Sequence, residues 1–372
     1  MTATAFPAVQ ANASSYIHLR TDLPYFRAKP ITMPALIRPS TPLESINIFD
    51  VIIIGSGPAG LSAALALSRV NRTVAIFGSQ VYRNAKSNHA HSILSRDHTH
   101  PDTIRRVGRE QIEVYGTTRF VEKAVVKARQ IDTGLLEVED ADGNSWQSRK
   151  VILATGVEDV MMDIEGYSDC WGSDIWQCLV CDGIERGHRE AGVLGPINPG
   201  ALMNIFTMLS LGCPKVTIFS NGPIDPSDKA AGPAIAIAKT QGVHVETRKI
   251  RRLVRLEDEQ GIDIVFEDDS VQRVGFLAVK PICKLAATDI ANDLGVAIVD
   301  DPKAGPMLQI SQPMCETNVP GVFSAGDACV NTKQFSQAMA QGGLVGAAVN
   351  FSLCMDRAAA AQKILRMGAN GA

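Results

Sequence analysis

The sequence predicts an α/β protein built from two doubly wound units, with the second unit inserted into the first. Three observations lead to this fold class. A β-branched run at residues 48–54 (IFDVIII) ends in a glycine-rich turn, a fainter strand–turn–helix pattern follows residue 190, and a strand-turn (GVFSAGDA) occupies residues 321–328. Continuous apolar runs bounded by glycine are typical of parallel strands that are covered by helices on both faces.

The elements can be assigned in order along the chain. The run at 48–54 is the first strand, and small and apolar residues at helical spacing follow it, so that a second strand completes a βαβ unit. The remaining assignments rest on the same patterns. We predict a helix over 60–70, a strand over 73–77, a strand-turn at 151–156, a short strand ending at 193–194, a helix over 201–211, a strand over 216–219, a strand-turn at 321–328 and a small-residue helix over about 336–353.

The composition is that of an ordinary globular protein and does not indicate nucleic-acid binding. The chain has 372 residues, of which 45% are hydrophobic and 20% charged, as in ordinary globular proteins. At roughly 150 residues per domain, this length predicts two or three domains. The net charge of −3 lacks the basic excess of a nucleic-acid-binding protein.

Compartment and membrane signals are weak. Eight cysteines are too sparse for a disulfide scaffold, which fits a reducing compartment, and we expect a cytoplasmic protein. The apolar stretch 50–68 is interrupted by glycine and proline, so we expect no membrane association from it.

Residues 1–46 contain six of the 19 prolines and few acids. We interpret them as a flexible arm, with a transit peptide as the alternative.

A glycine motif follows the first strand. Gly55-Ser56-Gly57-Pro58-Ala59-Gly60 is an intact GxGxxG between a strand and a helix, the signature of a Rossmann-like dinucleotide site. Gly55 allows the tight turn, Gly57 lets a pyrophosphate approach, and Gly60 lets helix and strand pack. The ribose-binding acid that usually follows the second strand is missing, so we expect Ser79 or Gln80 to bind the ribose.

The second unit contains a degenerate version of this glycine loop. In Gly195-Pro196-Ile197-Asn198-Pro199-Gly200, Ile197 replaces the middle glycine, and Pro196 and Pro199 remove backbone donors. Ser220-Asn221-Gly222, after the next strand, lacks the arginines that would hold an NADP 2′-phosphate. This pattern predicts a nucleotide-binding fold that has lost its nucleotide; an unusual loop that still binds one is the alternative.

Four regions follow from these patterns. We predict a flexible extension (1–46), a discontinuous dinucleotide-binding domain (47–160 and 275–358), an inserted redox domain with the degenerate loop (161–274) and a C-terminal tail (359–372).

One close cysteine pair is a candidate redox centre. Cys178 and Cys181 form a CxxC motif, in which one thiol is activated for disulfide exchange. Asp182 follows immediately and can move a proton to or from the leaving thiolate. A zinc site is the alternative, but Cys170 and Cys213 lie singly, without the spacing of further ligands.

A polar loop contains four of the seven histidines. They are His89, His91, His98 and His100. A metal site and a merely solvated loop are both alternatives here, and we assign no metal ligand. We expect one of the first two histidines to line the cofactor pocket as a base for thiol deprotonation, and we place His91 among the catalytic residues with Cys178, Cys181 and Asp182.

The order of these motifs resembles a known group. GSGPAG, VYRNA, ATG, CxxC followed by Asp-Gly, and VPGVFSAGDA resemble the low-molecular-weight thioredoxin reductases over residues 48–350. The resemblance implies two Rossmann-like FAD/NAD(P)-binding domains and FAD as cofactor, with Asp327 at the ribitol-phosphate and the helix of Gln337 and Ala338 facing the isoalloxazine. The cofactor-binding residues that we expect are Gly55, Gly57, Pro58, Ala59, Gly60, Ser79, Gln80, Arg83, Asn84, Ala154, Thr155, Gly156, Gly326, Asp327, Gln337 and Ala338.

The broken second loop and the segment CWGSDIWQCLVCDG look like a narrower branch, the FAD-dependent dithiol oxidases that close the disulfide of gliotoxin- and holomycin-type metabolites. That resemblance implies that a substrate thiolate attacks Cys178, that Cys181 leaves as a charge-transfer thiolate against the flavin, and that oxygen takes the electrons as H2O2. Many members carry histidine after the second cysteine, whereas this chain has Asp182. By the same analogy we expect a homodimer.

Two other functions are compatible with the sequence. One is an NADPH-dependent disulfide reductase of the thioredoxin reductase type, and the other is a flavin-bearing scaffold without turnover. The sequence does not identify the dithiol.

Overall fold

The computed structural model describes residues 42–195, 197, 199–225, 227, 229–257, 261–301 and 305–369. Most of the predicted arm, residues 1–41, lies outside the described residues, as do Pro196 and Asn198 of the second glycine loop.

The described residues form the following elements. The strands are β1 (Ile48–Ile54), β2 (Val74–Phe77), β3 (Thr118–Val121), β4 (Val125–Gln130), β5 (Leu136–Asp140), β6 (Ser145–Leu153), β7 (Val157–Val160), β8 (Ile175–Trp176), β9 (Ala191–Leu194), β10 (Val216–Phe219), β11 (His244–Glu246), β12 (Ile250–Arg255), β13 (Ile262–Phe266), β14 (Val271–Val274), β15 (Phe276–Ala278), β16 (Ile282–Leu285), β17 (Ile298–Asp301), β18 (Gly305–Leu308) and β19 (Val322–Ser324). The helices are α1 (Pro58–Ser68), α2 (Pro101–Glu113), α3 (Tyr167–Cys170), α4 (Leu179–Asp182), α5 (Pro199–Ser210), α6 (Ala231–Thr240), α7 (Thr288–Leu294) and α8 (Phe335–Ala369), with short 3-10 turns at Leu43–Ser45, Ile184–Arg186 and Gly326–Ala328.

The first sheet has the strand order β3-β2-β1-β6-β5-β4, with β19 also paired to β6. Strands β3, β2, β1, β6 and β19 are parallel, whereas β4 and β5 are antiparallel to their neighbours. The carboxyl ends of β1, β6 and β19 therefore lie side by side at one edge. In an open parallel sheet this edge is where a cofactor binds.

Helix α1 packs closely against α8 over this sheet. A Cβ atom on Gly342 would lie 2.1 Å from the Ala59 carbonyl oxygen, and one on Gly346 would lie 2.8 Å from that of Ala63. Small residues are therefore required where the helix backbones meet. The predicted helix over 336–353 is observed but extends to Ala369, and its residues 354–367 are exposed.

Helix α8 is the one described segment that is long and apolar enough to cross a membrane, over Phe335–Met367, and 44% of its apolar window is buried. Buried side chains such as Val345 and Val349 belong to the same core cluster as Ala63 of α1. Core helices of soluble proteins also have this length and composition, so these two properties alone are weak support for a membrane span.

The second sheet, β11-β10-β9-β15-β8, is parallel throughout. Its strand β15 comes from Phe276–Ala278, so the second unit contains residues beyond 274. We therefore propose that the chain returns to the first unit after about Val279, at β16. The two-unit α/β fold predicted from the sequence is confirmed.

Candidate cofactor cavity and redox site

A cavity of about 590 Å3 lies at the carboxyl ends of β1, β6 and β19. Its wall contains the first glycine loop, the turn after β6, the turn after β19 and the CxxC segment. The volume is within the usual range for small-molecule sites. The motifs that the sequence placed far apart therefore share one cavity.

The three glycines of the first loop differ in their surroundings. Gly55 has φ +113°, and a Cβ there would lie 2.2 Å from the carbonyl oxygen of Ala154. A Cβ on Gly60 would lie 1.9 Å from the Gly55 carbonyl oxygen, so Gly60 serves packing and does not line the cavity. Gly57 has no neighbour within 4 Å of an added Cβ, which leaves room for a phosphate at the start of α1.

The two candidates for the ribose are separated by the structure. Ser79 lines the main cavity. Gln80 lines a second, smaller cavity, and its side-chain oxygen accepts a hydrogen bond from the Tyr82 hydroxyl at 3.2 Å. Ser79 is therefore the better placed of the two for a ligand in the main cavity.

Arg83 joins two carboxylates at the cavity wall. Its Nε and Nη2 atoms donate to both oxygens of Asp159, at 2.9 and 2.5 Å, and Nη1 donates to Asp327 at 3.0 Å. Burial raises the pKa of Asp327, while the cations Arg83 and Lys333 act in the opposite direction. Arg83 thus anchors the acid that the motif GDA supplies.

The redox pair lines the same cavity. Cys178 and Cys181 are joined as a disulfide, Cys178 caps the single turn α4, and both line the cavity. Asp182 is at the last position of α4. Burial, reinforced by the negative charge of Glu185, raises the pKa of Asp182 to about 6, and His91 opposes this shift. A carboxyl group with this pKa can exchange a proton near neutral pH.

The four histidines have different environments. His89 and His91 line the main cavity. The Nδ1 atom of His91 lies 3.7 Å from an oxygen of Asp182, and its Nε2 atom lies 2.9 Å from Nδ1 of His98. His100 instead caps α2, where its Nδ1 atom accepts a hydrogen bond from the Asp102 backbone at 3.2 Å.

Most of the residues selected from the sequence line this one cavity. They are Gly55, Gly57, Pro58, Ala59, Ser79, Arg83, Asn84, His91, Ala154, Thr155, Gly156, Cys178, Cys181, Asp182, Gly326, Asp327 and Ala338. Gly60 and Gln80 lie elsewhere, as described. Gln337 is exposed and does not line the cavity, whereas the next residue, Ala338, is buried against it.

Several lining residues were missed. Lys123, Ala124 and Val125 follow β3, which was not assigned from the sequence, although the carboxyl-end rule would have located them once β3 was known. Gln177 lies in the quoted segment CWGSDIWQCLVCDG but was not selected as a site residue, and Lys333 belongs to no motif. Lys333 donates to the carbonyl oxygens of Asp327 and Val330 at 2.9 and 3.0 Å.

The family model for pyridine nucleotide-disulphide oxidoreductases matches residues 49–342. The chain belongs to this family. Similar proteins include thioredoxin reductase sirT of Leptosphaeria maculans, 38% identical over 82% of this chain and 94% of that protein, and thioredoxin reductase tcpT of Claviceps purpurea, 37% identical over 84% and 97%. Among solved structures, HlmI is similar with a TM-score of 0.76 and 28% identity over 86% of this chain and 97% of that chain.

This membership confirms the resemblance to thioredoxin reductases and identifies an FAD-binding oxidoreductase of that type. The cavity is compatible with FAD. Gly57 leaves the start of α1 open to a pyrophosphate, and the turns after β6 and β19 contribute backbone from Ala154 and Gly326 to the cavity wall.

Proposed function

We propose that the protein is an FAD-dependent oxidase of a small-molecule dithiol, which it converts to an intramolecular disulfide, with O2 as electron acceptor and H2O2 as product. We propose further that it acts in the biosynthesis of, or self-protection against, an epidithio-type metabolite. An NADPH-dependent disulfide reductase is the second candidate, because the curated relatives are named thioredoxin reductases.

The observation that carries the proposal is the side chain of Ile197. It replaces the glycine at which a pyrophosphate would approach, and it is buried, 3% exposed, in the core of the second unit with Ala201 and Leu202. Helix α5 begins at Pro199, which has no backbone N–H to offer a phosphate. These features favour a loop held by apolar packing over one that binds NADPH.

The turn after β10 also supports the loss of the nucleotide. Ser220 donates through its hydroxyl to the carbonyl oxygen of Gly222 at 2.6 Å, and the Asn221 side chain accepts from the Ile250 backbone at 2.8 Å. Arg248 is held by Glu246 at 2.6 Å and by Asp268 at 3.3 Å. The polar groups near this turn are thus engaged with the protein itself.

In the proposed reaction a substrate thiolate attacks Cys178 and forms a mixed disulfide, while Cys181 leaves as a thiolate. The second substrate thiol then attacks the mixed disulfide, so that the product disulfide forms and Cys178 is released as a thiol. We propose that Asp182 and His91, with 3.7 Å between a carboxylate oxygen and Nδ1, accept the substrate protons and return one to a leaving thiolate. The substrate loses two electrons, and the cysteine pair gains them.

Bound FAD supplies the two-electron chemistry that reoxidises the cysteine pair and delivers the electrons to O2. The chain's part is to hold the cofactor with the first glycine loop, Ser79, Asn84 and Asp327, and to keep the CxxC segment in the wall of the same cavity.

Exposed apolar side chains near the redox pair favour an apolar substrate. Val180, between the two cysteines, is 65% exposed, and Ile184 is 71% exposed. The Ser92 hydroxyl lies 3.4 Å from the Val180 carbonyl oxygen. The loop that contains the fully exposed Leu94 therefore joins Val180 and Ile184 in an apolar rim. We propose that this rim receives the apolar body of the dithiol.

We also propose a homodimer and a cytoplasmic location. Both rest on analogy with thioredoxin reductases and on sparse cysteine usage, and size-exclusion chromatography with light scattering tests the first.

The deciding experiment is anaerobic. The purified flavoprotein is mixed first with NADPH and then with dithiothreitol while the visible band of oxidised flavin is followed. We expect NADPH to leave the band unchanged and the dithiol to bleach it, and we expect air to restore it with formation of H2O2. Bleaching by NADPH would support the reductase instead. A flavin that responds to neither would support the scaffold.

A further inference from the structure

Two histidines and a glutamate meet at the edge of the redox site. The Nε2 atom of His91 lies 2.9 Å from Nδ1 of His98 and 3.2 Å from Oε1 of Glu185, and the three atoms all lie within 4.8 Å of one another. The histidines come from the loop after β2, and Glu185 comes from the 3-10 turn after α4. The fold therefore joins segments that are distant in sequence.

Hydrogen bonding alone satisfies this group poorly. An ionised carboxylate only accepts hydrogen bonds, and a neutral imidazole has one donor and one acceptor nitrogen. A hydrogen on Nε2 of His91 can be given to Glu185 or to His98, but it does not serve both well. A cation at this point would use the lone pairs of all three atoms at once.

The spacing fits a transition metal. With zinc–ligand bonds of about 2.0–2.2 Å, neighbouring ligand atoms of a tetrahedral site lie roughly 3.3 Å apart. The two distances measured from Nε2 of His91, 2.9 and 3.2 Å, are close to this value. We propose that His91, His98 and Glu185 form a binding site for a divalent first-row transition metal such as Zn2+, with the fourth position open to solvent.

The other side of His91 supports the same conclusion. Its Nδ1 atom is buried without a hydrogen-bond partner and faces a carboxylate oxygen of Asp182 at 3.7 Å. In metal sites, the second nitrogen of a ligating histidine commonly faces a carboxylate, which fixes its hydrogen on that side and leaves the ligating nitrogen free. The ring of His98 is also positioned, because it stacks on His89 with 4.0 Å between ring centroids.

The sequence led us to assign no metal ligand in this loop. His91 and His98 are seven residues apart, wider than usual histidine ligand spacing, and Glu185 lies in another segment. Only the folded chain brings them together. If the proposed function is correct, an ion bound here would occupy Nε2 of His91 and fix its orientation, so that Asp182 alone would accept protons while the ion is bound; the site itself does not depend on that function.

The test uses the holoenzyme with Cys178 and Cys181 oxidised, because a reduced dithiol binds Zn2+ by itself. Chelator-treated protein is titrated with Zn2+ in competition with a chromophoric indicator. We expect one equivalent to bind, and we expect His98→Gln and Glu185→Gln each to weaken binding by at least about 10-fold. His244→Gln, an exposed histidine on β11, is the matched control, and flavin content verifies that each variant is folded.

A Cys178→Ser/Cys181→Ser double variant should bind Zn2+ as the wild type does. Loss of binding in that variant would assign the metal to the thiols and overturn the proposal. So would the absence of a stoichiometric site in the wild type, or His98→Gln and Glu185→Gln variants with unchanged affinity. No dithiol, NADPH or oxygen is used, so this result is independent of the test of the oxidase.

Discussion

The Nδ1 atom of His91 lies 3.7 Å from a carboxylate oxygen of Asp182, the residue directly after the second redox cysteine. In the proposed reaction, this pairing brings a carboxylate and an imidazole from two segments beside the CxxC motif. The carboxyl of Asp182 is partly buried, its pKa is raised to about 6, and the His91 ring faces it.

The raised pKa predicts a pH dependence. If carboxylate Asp182 accepts the substrate proton, the rate of flavin reduction by a dithiol should fall as pH drops through about 6, because the carboxyl becomes protonated there. An ordinary aspartate, near 3.9, would remain ionised over this range. Stopped-flow measurements of this rate between pH 5 and 8 test the prediction. This range extends about one pH unit or more to either side of the raised pKa.

Two variants isolate the cause. Asp182→Asn should remove the inflection near pH 6 from the pH–rate profile and slow flavin reduction by a dithiol about 10²–10⁴-fold. Glu185→Gln should move the inflection to lower pH, because the charge of Glu185 contributes to the raised pKa. Glu190→Gln, an exposed glutamate directly before β9, is the control. An unchanged inflection in Asp182→Asn would assign it to another group.

The redox role of the cysteine pair predicts a sharp contrast among cysteines. Cys178→Ser and Cys181→Ser should each abolish reduction of the flavin by a dithiol while FAD remains bound. Cys354→Ser, at an exposed position on α8, should behave as the wild type. Anaerobic absorbance spectra check this. A Cys178→Ser protein that is still reduced at the wild-type rate would exclude the proposed mixed disulfide.

Arg83 is predicted to support both folding and cofactor retention. Its removal leaves Asp159, 3% exposed, as an unpaired buried charge, which costs roughly 3–5 kcal/mol. Arg83→Ala should therefore lower the melting temperature and lose FAD, and Arg83→Lys should be intermediate because it keeps charge without the bidentate geometry. Flavin content and thermal unfolding measure both effects. Equal stability of all three proteins would contradict this role of Arg83.

The glycines of the first loop should respond differently to alanine. Gly57→Ala adds a methyl group to open space, so the FAD-free protein should unfold as the wild type does, while FAD binding weakens. Gly60→Ala places a methyl group 1.9 Å from a backbone oxygen and should destabilise the fold by about 1–3 kcal/mol or more. Denaturant unfolding of the FAD-free proteins and flavin titration separate the two. Equal effects on stability would contradict these roles.

Strands and helices with buried apolar residues were predicted from local sequence patterns. The first strand was predicted with its observed bounds, Ile48–Ile54, because β-branched residues end at a glycine. Helix α1 begins earlier than predicted because Pro58 is favoured at a first helical position. The exposed end of α8 was missed because its alanine-rich sequence favours a helix without an apolar face.

Tertiary contacts set the limits of prediction at the site. The glycine loop, the cysteines and Asp327 were found because each motif has its own local geometry. Gln337 was selected beside Ala338, but the rotation of α8 exposes one residue and buries the next. The contact of His91 with Glu185 has no local signature, since neither spacing nor composition links the two segments.

Strands β7 and β16 pair in antiparallel fashion, with Asp159 opposite Cys283, at the two points where we propose that the chain leaves and re-enters the first unit. This ribbon is thus the covalent tether between the two units. Asp159 on β7 holds Arg83, and Arg83 in turn holds Asp327. We therefore expect a rotation of the second unit against the first to strain these ion pairs, which would link FAD binding to the position of the redox cysteines.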